Sequence, residues 1–189
     1  MDRVIFVDID DVLLSARALV LRGNRQFLRE QGLAVNSRLA AFDPIGIEML
    51  NRIAELADAR FVLSTSWRYS VGPSATIDAL KRNGLSAAKF HPNPSCELRG
   101  TYADGAAGKA RDIAAWLDYH AEVEAWVTLD NDPSLSVYLE KEVQGFRGLV
   151  IEVDPLVGIS ARNYSEALQH LGAAGDTDLT VFKAFRLML

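Results

Sequence analysis

The chain has 189 residues, of which 49% are hydrophobic and 24% charged, enough for one globular domain with a full core. Its net charge of −5 and pI near 5.2 exclude a general attraction to nucleic acid or anionic membranes. These values do not exclude a local basic patch on the surface. A single cysteine, Cys96, excludes an internal disulfide and a cysteine-rich metal site. No apolar run reaches the ~18 residues of a membrane span, so we expect no membrane partner. Few thiols and no evident signal peptide favour the cytoplasm.

Apolar runs alternate with helical periodicity along the chain. Strands are predicted at residues 4–7, 61–63, 87–90, 125–129 and 148–153. Helices are predicted at residues 45–57, 74–83, 109–119, 133–142 and 163–171. This alternation predicts an α/β fold in which a Rossmann-like parallel sheet carries helices on both faces.

Two segments interrupt the alternation. Residues 12–44 are partly helical in pattern and predict a small cap, whereas residues 91–108 are rich in proline and glycine and predict a loop. Residues 1–175 are therefore interpreted as a single domain. The tail at 176–189 is apolar, so we expect it to dock on the body or on a second subunit, which would give an oligomer.

The cap segment carries three arginines at helical spacing, Arg22, Arg25 and Arg29. A helix would place them along one face, although Gly23 weakens that helix. The stripe is either an ordinary solvated face or a surface that guides a polyanionic substrate toward an acidic protein.

Polar side chains follow the predicted strands where each strand ends. Asp8 and Asp10 follow the first strand, Ser64 and Thr65 the second, and residues 130–132 a later one. Ligands of open parallel sheets bind beyond the carboxyl ends of the strands, so these side chains are expected to meet in one crevice. Carboxylates after an apolar strand need a cation, and their oxygens suit Mg²⁺.

The same crevice has the components of a phosphoryl-binding site. Lys109, at the start of a predicted helix, would add a positive charge. Ser64 or Thr65 would donate a hydroxyl hydrogen bond to a phosphate oxygen, and a carboxylate would be placed to attack phosphorus.

Four motifs, "DIDDVLL", "VLSTSWR", "GKARDIAAWL" and "VTLDNDP", occur in this order. Together they resemble the four motifs of the haloacid dehalogenase (HAD) superfamily of aspartyl phosphatases, over roughly residues 3–171. Each motif lies at a predicted strand or helix end, which makes the set far more specific than any one of its members.

The resemblance implies roles for the catalytic groups. Asp8 would be the nucleophile, and Asp10 the general acid and then the general base. Ser64 would hold the phosphate, unless the strand ends one residue later and Thr65 takes that role. Lys109 would neutralise the charge of the aspartate and the phosphate.

The resemblance also implies a metal site and substrate contacts. Mg²⁺ would be held by Asp8, by the backbone carbonyl of Asp10, by Asp130 and by Asn131, since "LDN" also occurs in phosphatases that act on the polymerase C-terminal tail. From the "STSWR" motif, Arg68 is a candidate substrate contact, and Trp67 could pack on a substrate base.

A narrower resemblance concerns "STSWR" and the late "GLVIEVDPLVGIS". Both are similar to segments of the HAD-like domain of Swiss-army-knife RNA repair proteins. This resemblance implies a phosphatase for nucleotide or RNA-end phosphates. One departure is Asp11, where the family usually has glycine for a sharp turn. Asp tolerates unusual backbone angles, so the fold can survive, but the extra negative charge could disfavour phosphate.

The sequence favours a Mg²⁺-dependent phosphohydrolase that works through an aspartyl-phosphate. A non-catalytic binding or regulatory module of the same fold, favoured only by Asp11, and a phosphotransferase remain open alternatives. Ordinary interpretations also exist for single residues: Ser66 and Asp132 are typical of turns and helix caps. Cys96 is expected to be inert, and the histidines at 91, 120 and 170 are expected to be scattered rather than to form a metal site.

Overall fold

All strands in the described part of the chain, residues 2–21, 24, 40–99 and 102–173 of the computed structural model, pair in parallel within one sheet. The strands are β1 (Asp2–Val7), β2 (Ala59–Leu63), β3 (Phe90–Ser95), β4 (Val123–Asp130) and β5 (Gly148–Glu152). Their spatial order is β3-β2-β1-β4-β5. The order therefore reverses between β1 and β4, and in open α/β sheets a ligand crevice forms at such a reversal.

Helices cover both faces of this sheet. The described residues form α1 (Ala16–Leu19), α2 (Pro44–Leu56), α3 (Trp67–Ser70), α4 (Pro73–Arg82), α5 (Gly105–Asp118), α6 (Leu135–Glu142) and α7 (Ala161–His170). Val4 and Phe6 of β1 pack against α5 and α6, whereas Ile5 and Val7 pack on the other face against α2 and α7. Because side chains alternate along a strand, the apolar run of β1 fills both cores. The predicted Rossmann-like α/β fold is confirmed.

Helix boundaries follow local capping chemistry. The carboxylate of Asp43 accepts the N–H of Ile45 at 3.1 Å, and Pro44 begins α2 where its missing N–H costs nothing. Ser160 and Asn163 form a reciprocal capping box at the start of α7.

The predicted loop at residues 91–108 is wrong in part, because it contains β3 and the first turn of α5. Pro92 and Pro94 made this stretch look irregular in the sequence. Among the described strands β3 lies at the edge and pairs only with β2, so missing proline N–H groups are tolerated there. The strand predicted at residues 87–90 is instead a 3₁₀ turn, Ala87–Lys89, followed by β3.

All five predicted helices begin within four residues of their predicted starts, and two of these shifts concern residues near the site. α5 begins at Gly105, so Lys109 lies one turn inside the helix and not at its start. α6 begins at Leu135, because the Asp132 carboxylate accepts the N–H of Ser134 at 2.9 Å and closes a turn before the helix.

The predicted cap and tail are described only in part. Buried Asn24 donates from its side chain to the carbonyls of Ala18 and Ala41, both at 2.7 Å, which joins the two described ends of the 12–44 segment. Arg22, Arg25, Arg29 and the tail at 176–189 lie outside the described residues, so the cap and the oligomer stay predictions. Among the helices that are described, none combines the length and apolarity needed to cross a bilayer.

Candidate active site

Three strand ends lie side by side at the carboxyl edge of the sheet. Val7 of β1 is in register with Leu63 of β2 and with Leu129 of β4. The residues that follow Val7 and Leu63 are Asp8 and Ser64, and Asp130 ends β4. The sheet register therefore brings these three predicted site residues together at the strand-order reversal.

Lys109 reaches this edge from α5 and bridges two carboxylates. Its Nζ lies 2.6 Å from Oδ2 of Asp8 and 2.5 Å from Oδ2 of Asp130. Both aspartates are buried, at 4% and 0% exposure. Burial lowers the pKa of Lys109, but the two adjacent carboxylates outweigh it and raise that pKa, so the ammonium stays charged.

The pKa of Asp130 reflects its burial and the closeness of a second carboxylate, that of Asp8. Burial raises the pKa of Asp130 above its ordinary value, and the charge of Asp8 raises it further, while Lys109 opposes both. The Oδ1 atom of Asp130 also accepts the N–H of Asp132 at 3.0 Å. A further cation at this position would stabilise the ionised pair.

Ser64 presents a hydroxyl that has no hydrogen-bond partner among the described residues. The atom is fully buried, yet the residue lines the cleft. Its neighbour Thr65 does not line the cleft, and its Oγ1 accepts the N–H of Trp67 at 3.3 Å. Since an unpaired buried hydroxyl is costly, Ser64 is better placed than Thr65 to donate to a bound anion.

Two side chains that follow β2 hold the carboxylate of Asp10. Its Oδ1 accepts the indole N–H of Trp67 at 3.0 Å, and its Oδ2 accepts the hydroxyl of Ser66 at 2.9 Å. Burial raises the pKa of Asp10; the Trp67 hydrogen bond lowers it, and the charge of Asp8 raises it, with a net rise. A raised pKa suits a carboxyl group that must hold a proton before giving it away.

These contacts correct the prediction for Trp67 and add a contact to the predicted turn residue Ser66. Trp67 is 1% exposed and packs edge-on against Phe42, so its ring is not available to a substrate base and instead holds Asp10. Ser66 is the N-cap residue of α3, but its side chain makes no capping hydrogen bond. Its hydroxyl donates to the carboxylate of Asp10 instead.

Arg68 is also placed differently from its predicted substrate contact. Its side chain is only 1% exposed and pairs with Asp112 of α5 at 3.0 Å. The guanidinium also donates to the carbonyls of Thr65, Cys96 and Ser64 at 2.9, 3.0 and 3.3 Å. Arg68 borders the cleft, but its donors tie the ends of β2 and β3 to α5. One of these donors contacts the backbone of Ser64 directly.

Asp11 occupies the turn after β1 with φ 60°, in the left-handed region that glycine enters most easily. Its carboxylate accepts the side-chain amide of Asn131 at 3.3 Å across the mouth of the cleft. The N–H groups of Val12, Leu13 and Leu14 all donate to the carbonyl of Ile9, which closes the turn. Asp11 thus adopts the backbone that this position requires and adds a negative charge to the entrance.

The cleft around these groups has a volume of about 350 Å³. It is lined by Asp8, Asp10, Asp11, Ser64, Ser66, Arg68, Tyr69, Gly105, Ala106, Lys109, Asp130, Asn131 and Asp132. Gly105 and Ala106 are the first residues of α5, and no side chain caps this helix start. The positive end of the helix dipole therefore faces the cleft and favours an anion there.

The donor set in the cleft fits a hard divalent cation. Asp8 and Asp130 offer carboxylate oxygens, and Asn131 and the backbone of Asp10 offer neutral ones on the same cleft. All are oxygen ligands of the kind that Mg²⁺ prefers, and the unpaired Ser64 hydroxyl next to them fits a phosphate oxygen. The carboxylate of Asp132 instead accepts the N–H and the hydroxyl of Ser134, which forms a turn before α6; Asp132 is not the cap of this helix.

Sequence reasoning missed several residues of this site. The sequence did not show that Ser66 contacts Asp10 or that Arg68 pairs with Asp112. The first contact joins positions 56 residues apart, and the second joins positions 44 residues apart. Tyr69 also lines the cleft and donates its hydroxyl to Asp112 at 2.8 Å. Burial raises the pKa of Tyr69 to about 12.

The histidine prediction is wrong for two of three residues. His91 and His120 come together, with ring centroids 4.8 Å apart, and Glu122 lies beside them. His170 remains apart and contacts the carbonyl of Arg147. The pair is brought together by β3, which the sequence pattern did not reveal.

The strand order, with acidic residues at its reversal, is that of an α/β protein of the HAD type. The family model for the HAD domain in Swiss Army Knife RNA repair proteins matches residues 4–164, and the chain belongs to this family. No curated protein and no solved structure matches it. Membership confirms the resemblance inferred from the motifs and supports, in general terms, a hydrolase or phosphatase of the HAD type.

Proposed function

We propose that the protein is a Mg²⁺-dependent phosphohydrolase in which Asp8 forms an aspartyl-phosphate. The observation that carries the proposal is the contact of Lys109 with both Asp8 and Asp130, beside the unpaired hydroxyl of Ser64. A nucleophilic carboxylate, a fixed positive charge and a hydroxyl donor around one point are what phosphoryl transfer requires.

Each residue has a defined part in the proposed reaction. Oδ2 of Asp8 attacks phosphorus, and the bond from phosphorus to the leaving oxygen breaks. Asp10 gives that oxygen its proton and then takes a proton from the water that attacks the aspartyl-phosphate, which releases phosphate and restores Asp8. Lys109 and Ser64 hold the phosphoryl oxygens. Mg²⁺, when bound by Asp8, Asp10, Asp130 and Asn131, would supply charge neutralisation.

For the substrate, we propose nucleotide or RNA-end phosphates. The support is the family description, which names RNA repair, and a cleft of about 350 Å³ with the positive end of α5 at its wall. The chain has a single cysteine, so we propose the cytoplasm as its compartment.

The test is phosphate release with Mg²⁺ from an aryl phosphate, from nucleotides and from RNA with a 5′ or 3′ phosphate. Wild-type protein should release phosphate, and Asp8→Asn should not, because an amide is a poor nucleophile. Arg162→Ala, on the exposed surface of α7, is the matched control.

The two alternative functions give different results. A non-catalytic module would release no phosphate from any substrate, and no radioactive label would appear on Asp8. A phosphotransferase would label Asp8 but pass the phosphate to an added alcohol faster than to water. Near-wild-type turnover by Asp8→Asn would show that the aspartyl mechanism is wrong.

A further inference from the structure

A second group of metal-ligating side chains lies at the opposite edge of the sheet from the cleft. His91 is the second residue of β3, while His120 and Glu122 lie in the turn just before β4. Because all strands are parallel, both positions are at amino ends of strands, and the cleft is at the carboxyl ends. The group is therefore separate from the candidate active site.

The three side chains converge. One ligand atom from each lies within 4.8 Å of the others. Nδ1 of His120 is 2.9 Å from Oε1 of Glu122, within hydrogen-bond distance, so these two ligand atoms already face each other. Together the three side chains offer two imidazoles and one carboxylate.

Asn93 holds both imidazole rings by the nitrogen that the proposed ion would not use. Nδ1 of His91 lies 3.0 Å from the backbone N–H of Asn93 and 3.2 Å from its carbonyl. In the tautomer that donates Nδ1–H to the carbonyl, Nε2 of that ring is the ligand atom. Nε2 of His120 lies 3.2 Å from the amide nitrogen of Asn93. A half-turn of this amide exchanges its nitrogen and oxygen, so that the oxygen accepts Nε2–H and Nδ1, beside Glu122, can bind an ion. Metal-ligating histidines are typically oriented through their second nitrogen in this way.

Aromatic packing fixes the rings further. The ring of Trp116 lies 4.9 Å from that of His91 and 4.0 Å from that of His120, centroid to centroid. Its indole N–H donates to the carbonyl of Asn93 at 3.2 Å. His91 is 6% exposed, whereas His120 also lines an open cleft of about 400 Å³, which gives an ion a path from solvent.

The strand that carries His91 has little regular backbone pairing. β3 is an edge strand that pairs with β2 only at Phe90 and Ser95, with a register shift between, and Pro92 and Pro94 have no N–H to donate. An ion that joined His91 to the turn before β4 would fasten this strand to the rest of the fold.

We propose that His91, His120 and Glu122 form a binding site for a divalent transition-metal ion, with Zn²⁺ as the ion that best suits two imidazoles and a carboxylate. This set leaves one tetrahedral position for water. Mg²⁺ is disfavoured here because it prefers oxygen ligands. We therefore expect the sites at the two edges of the sheet to bind different metal ions.

The test is isothermal titration of tag-free, chelator-stripped protein with Zn²⁺ in a phosphate-free buffer, with Co²⁺ absorption spectra as a second readout. The titration is run in the wild type and in Asp130→Asn, which removes the acidic site at the other edge. His120→Ala and Glu122→Gln are used because both side chains are partly exposed and tolerate replacement better than buried His91. His170→Ala is the matched histidine control.

We expect tight Zn²⁺ binding in the wild type, in Asp130→Asn and in His170→Ala, with a tetrahedral Co²⁺ spectrum. His120→Ala should weaken binding at least about 100-fold, and Asn93→Ala by about 10- to 100-fold, as for an outer partner of a ligand. Absence of Zn²⁺ binding in the wild type, binding that survives His120→Ala and Glu122→Gln, or binding lost only in Asp130→Asn would each overturn the proposal and leave a hydrogen-bonded histidine pair.

Discussion

The indole N–H of Trp67 donates to the carboxylate of Asp10 at 3.0 Å, so a buried tryptophan after β2 orients the proposed acid–base group after β1. Trp67→Phe keeps the ring but removes this donor. Because the hydrogen bond lowers the pKa of Asp10, that pKa should rise in the variant. The alkaline limb of the pH profile of kcat/KM should then move to higher pH, and kcat should fall about 10- to 100-fold from lost positioning. Trp126→Phe, on the face of α5 and α6, controls for the loss of a buried indole. An unchanged pH profile for Trp67→Phe would contradict this role.

The buried pair of Arg68 and Asp112 should be essential for stability. Asp112→Asn leaves the guanidinium in the interior without a countercharge, which should lower the free energy of unfolding by about 3–5 kcal/mol. Urea unfolding followed by circular dichroism measures the change. Arg162→Ala removes an exposed pair with Glu166 and should leave the midpoint nearly unchanged. Equal effects of the two variants would show that the buried pair does not stabilise the end of β2.

Mg²⁺ should raise the melting temperature of the wild type by mass action, because it would bind the folded protein and relieve the repulsion between Asp8 and Asp130. Ca²⁺ should also stabilise but support little activity, since its looser coordination places the phosphate poorly. Asp130→Asn should lose most of the Mg²⁺ response. The check is thermal unfolding across millimolar Mg²⁺, and identical responses of the two proteins would remove the proposed metal site.

Asp11 should weaken phosphate binding through its charge. Asp11→Asn removes the charge but retains a residue that tolerates φ 60°, whereas Asp11→Gly changes the backbone preference as well. If charge dominates, both variants should lower KM for an aryl phosphate by less than about tenfold, since an exposed charge contributes only about 1 kcal/mol. A large loss of activity in Asp11→Asn would instead give Asp11 a positive role, for which its contact with Asn131 provides a route.

Cys96 should be chemically inert in the folded protein. It is 3% exposed, and burial raises the pKa of its thiol to about 12, so almost no thiolate forms at pH 8. A thiol reagent such as Ellman's should react only after unfolding in denaturant. Stoichiometric reaction of the native protein at the rate of a free thiol would show that the end of β3 opens readily.

The sequence by itself determined four of the five described strands, the family and the residues at the strand ends. Apolar runs and helical periodicity are local properties, and parallel strands must end at a common edge, so the meeting of Asp8, Ser64 and Asp130 followed from the pattern alone. β3 was not predicted because it contains two prolines, which are unusual in strands. Prolines are tolerated at the edge of a sheet, but the sequence does not show which strand lies there.

Only the tertiary structure decided what the side chains beside those residues contact. Trp67 and Arg68 follow the second strand closely, yet one holds Asp10 and the other pairs with Asp112. His91 and His120 meet although they are 29 positions apart in the sequence. Such contacts depend on rotamers and on packing between distant elements, and neither leaves a periodic signal in the sequence.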